Sequence, residues 1–223
     1  MKEQSHLGKT CVLCGKQPST RKGDHQPPDC LYPPPRPQNV RLNSVPACAT
    51  CNREGSYHDE EFKLMLGVMV GERRDDSPQV VESIQKTLTK NRRLVKHLAL
   101  NSKRAYVNRG HGVLEPVVRV DFDGKAYHNV ISRIVRGLHW RETGTILSPN
   151  STIVVRQFWQ LNVVFSHSVQ ALMNMIPAKN LNSGTFSYKC LYGTEETSLW
   201  VMQFFGADQA FASVASPQSG QTA

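Results

Sequence analysis

Apolar positions along the chain recur at helical spacing in several long stretches and alternate in shorter ones. Asp59-Glu-Glu-Phe-Lys-Leu-Met-Leu, continuing to Val70, predicts a helix, broken by the polar segment Gly71-Glu-Arg-Arg-Asp-Asp. Ser77-Pro78 then reads as an N-cap followed by a first helical residue. Beyond it Val80, Val81, Ile84 and Leu88 recur at helical spacing, as do Leu94, Val95 and Leu98 past a weak point at Asn91. Tyr127 to Trp140 predicts an amphipathic helix with Val130, Ile131, Ile134, Val135 and Leu138 inside, and Arg133 and Arg136 outside or turned toward a ligand. Val163 to Met175 is a further helix, its Leu172, Met173 and Met175 assigned to core. Strands are expected over Pro116–Phe122, turned at Asp123-Gly124, and over Thr152–Phe158 and Tyr188–Tyr192. Ser198–Phe205 should pair with the last of these across Gly193-Thr-Glu-Glu. Asn108-Arg-Gly-His-Gly112 reads as a loop, Ser216–Ala223 as a polar tail, and no internal repeat is present. The pattern predicts an α+β protein with antiparallel strands.

The first sixty residues carry little periodicity, and other signals govern them. Two Cys-x-x-Cys pairs, Cys11/Cys14 and Cys48/Cys51, suit a closed tetrahedral zinc site. Between the pairs lie 33 residues, and the stretch from Asp24 to Cys48 is dense in proline: Pro27, Pro28, Pro33, Pro34, Pro35, Pro37 and Pro46. Proline fixes φ and removes a donor, so this arm forms neither a helix nor a central strand. Its length exceeds what a compact zinc ribbon needs. Cys30 falls in the arm without a partner and reads as a plain free thiol, with Cys190 a second spare.

Asp24-His25 sits between the knuckles, and Asn52 follows the last cysteine. A histidine beside a carboxylate, with another oxygen donor at the edge of the zinc site, supplies what a metal-assisted phosphodiesterase needs: a base for water and oxygen ligands for a hard cation. A zinc knuckle alone is as well a structural staple or a binding module. The combination Cys11-Val-Leu-Cys14, Asp24-His25-Gln-Pro-Pro28, Val45-Pro-Ala-Cys48-Ala-Thr-Cys51-Asn52 and Asp59-Glu60-Glu61-Phe62 resembles the four-cysteine branch of the HNH endonucleases, the ββα-metal nucleases. The resemblance covers residues 8–65.

It implies a fold and a set of roles. Two short strands should flank the Asp-His pair, with a helix starting near Asn52 or Ser56. His25 matches the general base, a role that suits the imidazole group as a side chain able to take and release a proton. Asp24 and Asn52 match ligands of a catalytic divalent ion, magnesium or manganese, and Cys11, Cys14, Cys48 and Cys51 match ligands of a structural zinc. Asn43 matches the residue that orients the base, with Asn39 a weaker candidate. Asp59 and Glu60 match a common downstream acidic pair; they either support the metal ligands from behind or form the first turn of a helix, where acids favour the dipole, and the helix reading is preferred. His58 is an extra imidazole near the site, either a ligand or, the preferred reading, a surface histidine at that helix start. Many relatives carry Lys near Glu54 or Gly55; here Arg53 is the available substitute. In the second half, Arg119-Val-Asp-Phe-Asp-Gly124 and Arg136-Gly-Leu-His-Trp140 resemble an extension of unknown role found on some HNH proteins.

Charge adds a partner class. The formal net charge is +9 and the pI about 9.4, which favours polyanions. From Ser83 to Leu114 there is no Asp or Glu, yet Lys86, Lys90, Arg92, Arg93, Lys96, Lys103, Arg104 and Arg109 all occur. Such a run is either a solvated face or a phosphate-contacting one; Arg53, Arg92, Arg93 and Lys96 are the candidate contacts. Six cysteines with no signal peptide pattern and no run of 18 apolar residues lead to the expectation of a cytoplasmic protein with no membrane contact. The expected layout is a zinc-stapled ββα-metal unit over 1–70, a basic helical connector over 71–110, an α+β domain over 111–215 and a tail over 216–223. The expected function is a metal-dependent HNH endonuclease acting on nucleic acid, DNA in preference. The alternative is a zinc-dependent nucleic-acid-binding module without catalysis.

Overall fold

A computed structural model describes residues 5–32, 43–71, 78–108, 110, 112–122, 124–157, 163–181, 185–193, 197–206 and 208–216. The protein is α+β. Two very short strands, β1 (Asp24–His25) and β2 (Ser44–Val45), pair antiparallel, Asp24 opposite Val45 and His25 opposite Ser44. Helix α1 (Ala49–Gly71) follows, then α2 (Pro78–Lys90) and α3 (Arg92–Asn101). Strands β3 (Ser102–Asn108) and β4 (Leu114–Val120) form a separate antiparallel ribbon. Helix α4 (Gly124–Thr143) leads to β5 (Thr152–Gln157), α5 (Val163–Asn174), β6 (Lys179–Leu181), β7 (Phe186–Tyr192), β8 (Ser198–Phe204) and β9 (Asp208–Ala215). The last five strands make one antiparallel sheet in the order β5-β9-β8-β7-β6.

Period-3.6 and period-2 patterns meet in the main core. Val130, Ile131, Ile134, Val135 and Leu138 of α4 are fully buried. They pack with Trp200, Met202 and Phe204, the inward alternation of β8, and with Phe186 and Tyr188 of β7. On β9 the small residues Ala210 and Ala212 join the same cluster, while Phe211 points the other way and packs with Val169 and Met173 of α5. Phe62, Met65 and Leu66 of α1 and Leu31 and Tyr32 of the proline arm enter the main core too. The amino-terminal third therefore leans on α4 and the sheet, and one core spans the boundaries expected at residues 70 and 110.

Several local expectations change. The Asp-His pair is itself β1, because its partner strand closes directly on it. Helix α1 begins at Ala49, so Asp59 and Glu60 lie about three turns into it and not in its first turn. The helical reading of the connector holds only to Asn101; Ser102–Asn108 is a strand, paired residue by residue with β4. Asn91 marks a true break, its side chain accepting from the Leu94 amide as the N-cap of α3 (3.0 Å). Gly124 opens α4 instead of turning a hairpin. Arg133 is buried, 7% exposed. Asn39, Ser77, Arg109, Asp123, the prolines from 33 to 37 and the tail beyond 216 lie outside the described residues.

Candidate functional site

The zinc candidate is built from two loops. The Cys11 amide donates to Gln17 O (2.8 Å), the Gly15 amide to Cys11 O (2.8 Å) and the Val12 amide to Pro46 O (2.8 Å). These bonds fold the first knuckle and tie it to the second, and Gly15 takes φ +68° to close the turn. The second knuckle runs into the first turn of α1. The four sulfurs of Cys11, Cys14, Cys48 and Cys51 lie within 4.8 Å of one another, and no cysteine forms a disulfide. A tetrahedron of roughly 2.3 Å Zn–S bonds has edges of about 3.8 Å, so the donor set and its spread fit zinc. Burial acts to raise the Cys14 thiol, but hydrogen bonds from the Gln17 and Lys16 backbone and from Cys11 and Cys51 bring it down to about 7. Cys51 is pushed up by burial and then by its neighbouring thiols. A cation among the four sulfurs would favour their thiolate forms.

Strand β1 carries the expected catalytic pair. Gly23, at φ +69°, lets the chain turn into it; a Cβ there would stand 2.2 Å from Val45 O. Alternation along β1 sends its two side chains to opposite sides. His25 is partly exposed, its Nδ1 4.0 Å from Asp29 Oδ2, too long for a hydrogen bond. Asn43, half-buried, gives its carbonyl to the Gln26 amide (2.8 Å). Asn52 sits in the first turn of α1, its amide donating to Cys48 O (3.0 Å). The cysteine cluster, the β-pair and the start of α1 thus form one small strand–strand–helix unit.

Asp24 points inward and is only 4% exposed. Arg133 Nη2 reaches both of its oxygens, at 2.8 and 2.7 Å, and Nη1 reaches Asp59 Oδ1 at 2.7 Å. Gln26 Nε2 adds a fourth bond in this group, to Asp24 Oδ2 (2.8 Å). Two glycines make room for it. A Cβ on Gly55 of α1 would stand 2.2 Å from Arg133 Cζ, and one on Gly137 of α4 2.7 Å from Gln26 Cγ. Burial pushes Asp59 up, against the pull of Arg133, to about 6; burial acts to lower Arg133, but Asp24 and Asp59 outweigh it and hold it charged. One guanidinium here serves two carboxylates. Asp24 in this arrangement does not fit a hard dication: both oxygens already accept charge-assisted bonds, and the ion would stand beside a guanidinium. Among the described residues the four cysteines are the one His/Cys/Asp/Glu group with metal-holding geometry.

The other candidates lie apart from this network. Arg53 is exposed beside Asn52, and Arg92, Arg93 and Lys96 are exposed on α3. The Arg93 guanidinium lies over the exposed Tyr57 ring of α1, 5.4 Å from its centroid, so α3 and α1 share one cationic, aromatic face. His58 is half-buried in α1. Cys30 donates to Asp59 O (3.5 Å), and burial pushes its thiol up. Sequence reasoning missed the bonds of Arg133 and Gln26 to Asp24 and the Arg133 bond to Asp59. A signal existed: Arg133 and Gly137 fall on the stripe of Ala126, Val130 and Ile134, where an arginine needs a buried partner. No described helix is long and apolar enough to cross a membrane. No family model, curated protein or solved structure matches the chain.

Proposed function

We propose that the chain is an HNH-type, metal-dependent endonuclease that hydrolyses phosphodiester bonds, with DNA as its substrate class. The observation that carries this is the joining of a four-cysteine cluster to a two-strand pair presenting His25 and to a helix whose first turn holds Asn52. His25, partly exposed, takes the proton of the attacking water. Asn43 lies beside Ser44, the partner of His25, where it can steady the base. A divalent ion, magnesium or manganese, supplies charge stabilisation in such chemistry, and Asn52 remains as its expected donor. The exposed Arg53, Arg92, Arg93 and Lys96 attract the phosphate backbone.

One observation favours a second reading, a zinc-stapled nucleic-acid-binding module without catalysis: Arg133 claims the carboxylate expected to serve the ion. Zinc-loaded protein incubated with supercoiled plasmid, linear DNA and RNA in Mg²⁺, Mn²⁺ or chelator separates the two. Metal-dependent nicking supports the nuclease. Salt-sensitive binding without cleavage in any metal leaves the binding module.

A further inference from the structure

The clamp on Asp24 places a residue of the carboxy-terminal half inside the candidate nuclease centre. We propose that Arg133 is a positioning residue that seats the Asp24–His25 strand on α1, and that Asp24 serves this seat and not the divalent ion. This rests on the nuclease reading.

The geometry is specific. Strand β1 is two residues long and has one short partner strand, so its own ladder bonds are too few to fix it. Arg133 adds two bonds to Asp24 and one to Asp59, at 2.7–2.8 Å, inside the protein. The planar fork of a guanidinium suits this bridging, with one nitrogen to the strand and one to the helix. Both anchoring elements then bear on His25. Asp24 is its chain neighbour, so fixing the carboxylate inward directs the imidazole outward by strand alternation. Asp59 lies on the helix whose first turn holds Asn52. Gly55 admits the guanidinium against α1 and Gly137 admits Gln26 against α4; these two close approaches are built for the contact. Asp24, 4% exposed, already accepts from Arg133 on both oxygens and from Gln26 on one, and it lacks the opening that a hydrated dication needs.

The test is steady-state cleavage by zinc-loaded wild type, Arg133→Gln, Arg133→Lys, Asp24→Asn and the Asp24→Asn/Arg133→Gln double variant, over a Mn²⁺ titration. Assays are run below the unfolding range of each protein, with zinc content checked. Losing a residue that orients a site costs on the order of 10–100-fold in activity. Arg133→Gln should lose that much kcat with KM for DNA near wild type, and Arg133→Lys, which keeps the charge but not the fork, should fall between. Asp24→Asn should lose kcat while its half-maximal Mn²⁺ concentration stays within about twofold of wild type, and the double variant should be no worse than the worse single one. A tenfold rise in half-maximal Mn²⁺ for Asp24→Asn overturns the proposal, as does a wild-type kcat in folded Arg133→Gln or Arg133→Lys, and the nuclease reading survives either result. No cleavage by wild type in any metal removes the nuclease reading and this proposal together.

Discussion

The four-cysteine unit and the α4–sheet half are held together by different means. In the second, Trp200, Phe186, Phe204, Ile131, Ile134 and Leu138 are buried to the last few per cent, and burial of that kind yields about 1.5–3 kcal/mol for each large side chain. In the first, the separate apolar cluster consists of Cys11, Ala47 and Cys48, with Leu13, Cys14 and Cys51 at its margin. So small a core cannot repay the conformational entropy of the knuckles and the proline arm. A four-cysteine cluster that fits zinc and an internal ion network stand in its place. The difference has a functional side: the region with the weakest core is free to present polar groups, and it borrows rigidity from the region that cannot.

The largest effect that would break this contrast is loss of zinc. A structural zinc contributes on the order of 10 kcal/mol of apparent binding energy. Cys48→Ser, or a strong chelator, should abolish amide protection in residues 8–25 and 43–55 while α4 and β7–β9 keep theirs. Cys30→Ser should retain full zinc. Equal zinc content in the two variants would overturn the ligand assignment. Next comes the core. Trp200→Ala or Ile131→Ala should cost about 2–5 kcal/mol, read as a lower thermal midpoint with zinc content unchanged. Smaller again is Gly55→Ala, which drives a methyl into the Arg133 guanidinium. Overpacking of this sort costs about 1–3 kcal/mol, and a stability near wild type would show that α1 and α4 are not closely seated there. The smallest effect on the fold, none, is expected for neutralising Arg92, Arg93 and Lys96 together. DNA binding should nevertheless weaken, its log–log salt slope falling by roughly 0.9 for each phosphate that the variant no longer neutralises. An unchanged slope would make that face merely solvated.

The two regions are also legible in different ways. Helix α4 and strand β8 announce themselves by period: Val130, Ile131, Ile134, Val135 and Leu138 all face the core, and Ser198, Trp200, Met202 and Phe204 alternate inward. Strand β9 is silent by the same test. Its Ala210, Phe211 and Ala212 are buried together because one face meets α4 and the other α5, and no alternation survives burial on both faces. Strand β3 is hidden by its charges, since Lys103 and Arg104 extend the basic run of α3 and read as more helix. The cysteine cluster follows from spacing alone, because a tetrahedral ion demands four donors and little else. The clamp on Asp24 does not: Arg133 is 109 residues away from it, and only the folded crossing of α1 and α4 brings the pair together.

The claim that the zinc unit carries the chemistry, while the rest positions and supports it, is tested most directly by the single-turnover cleavage rate of His25→Ala against wild type at equal zinc content and equal DNA affinity. Removal of a positioned base should slow cleavage by about 10²–10⁴-fold with fold and binding intact. Cleavage by His25→Ala at the wild-type rate would contradict it.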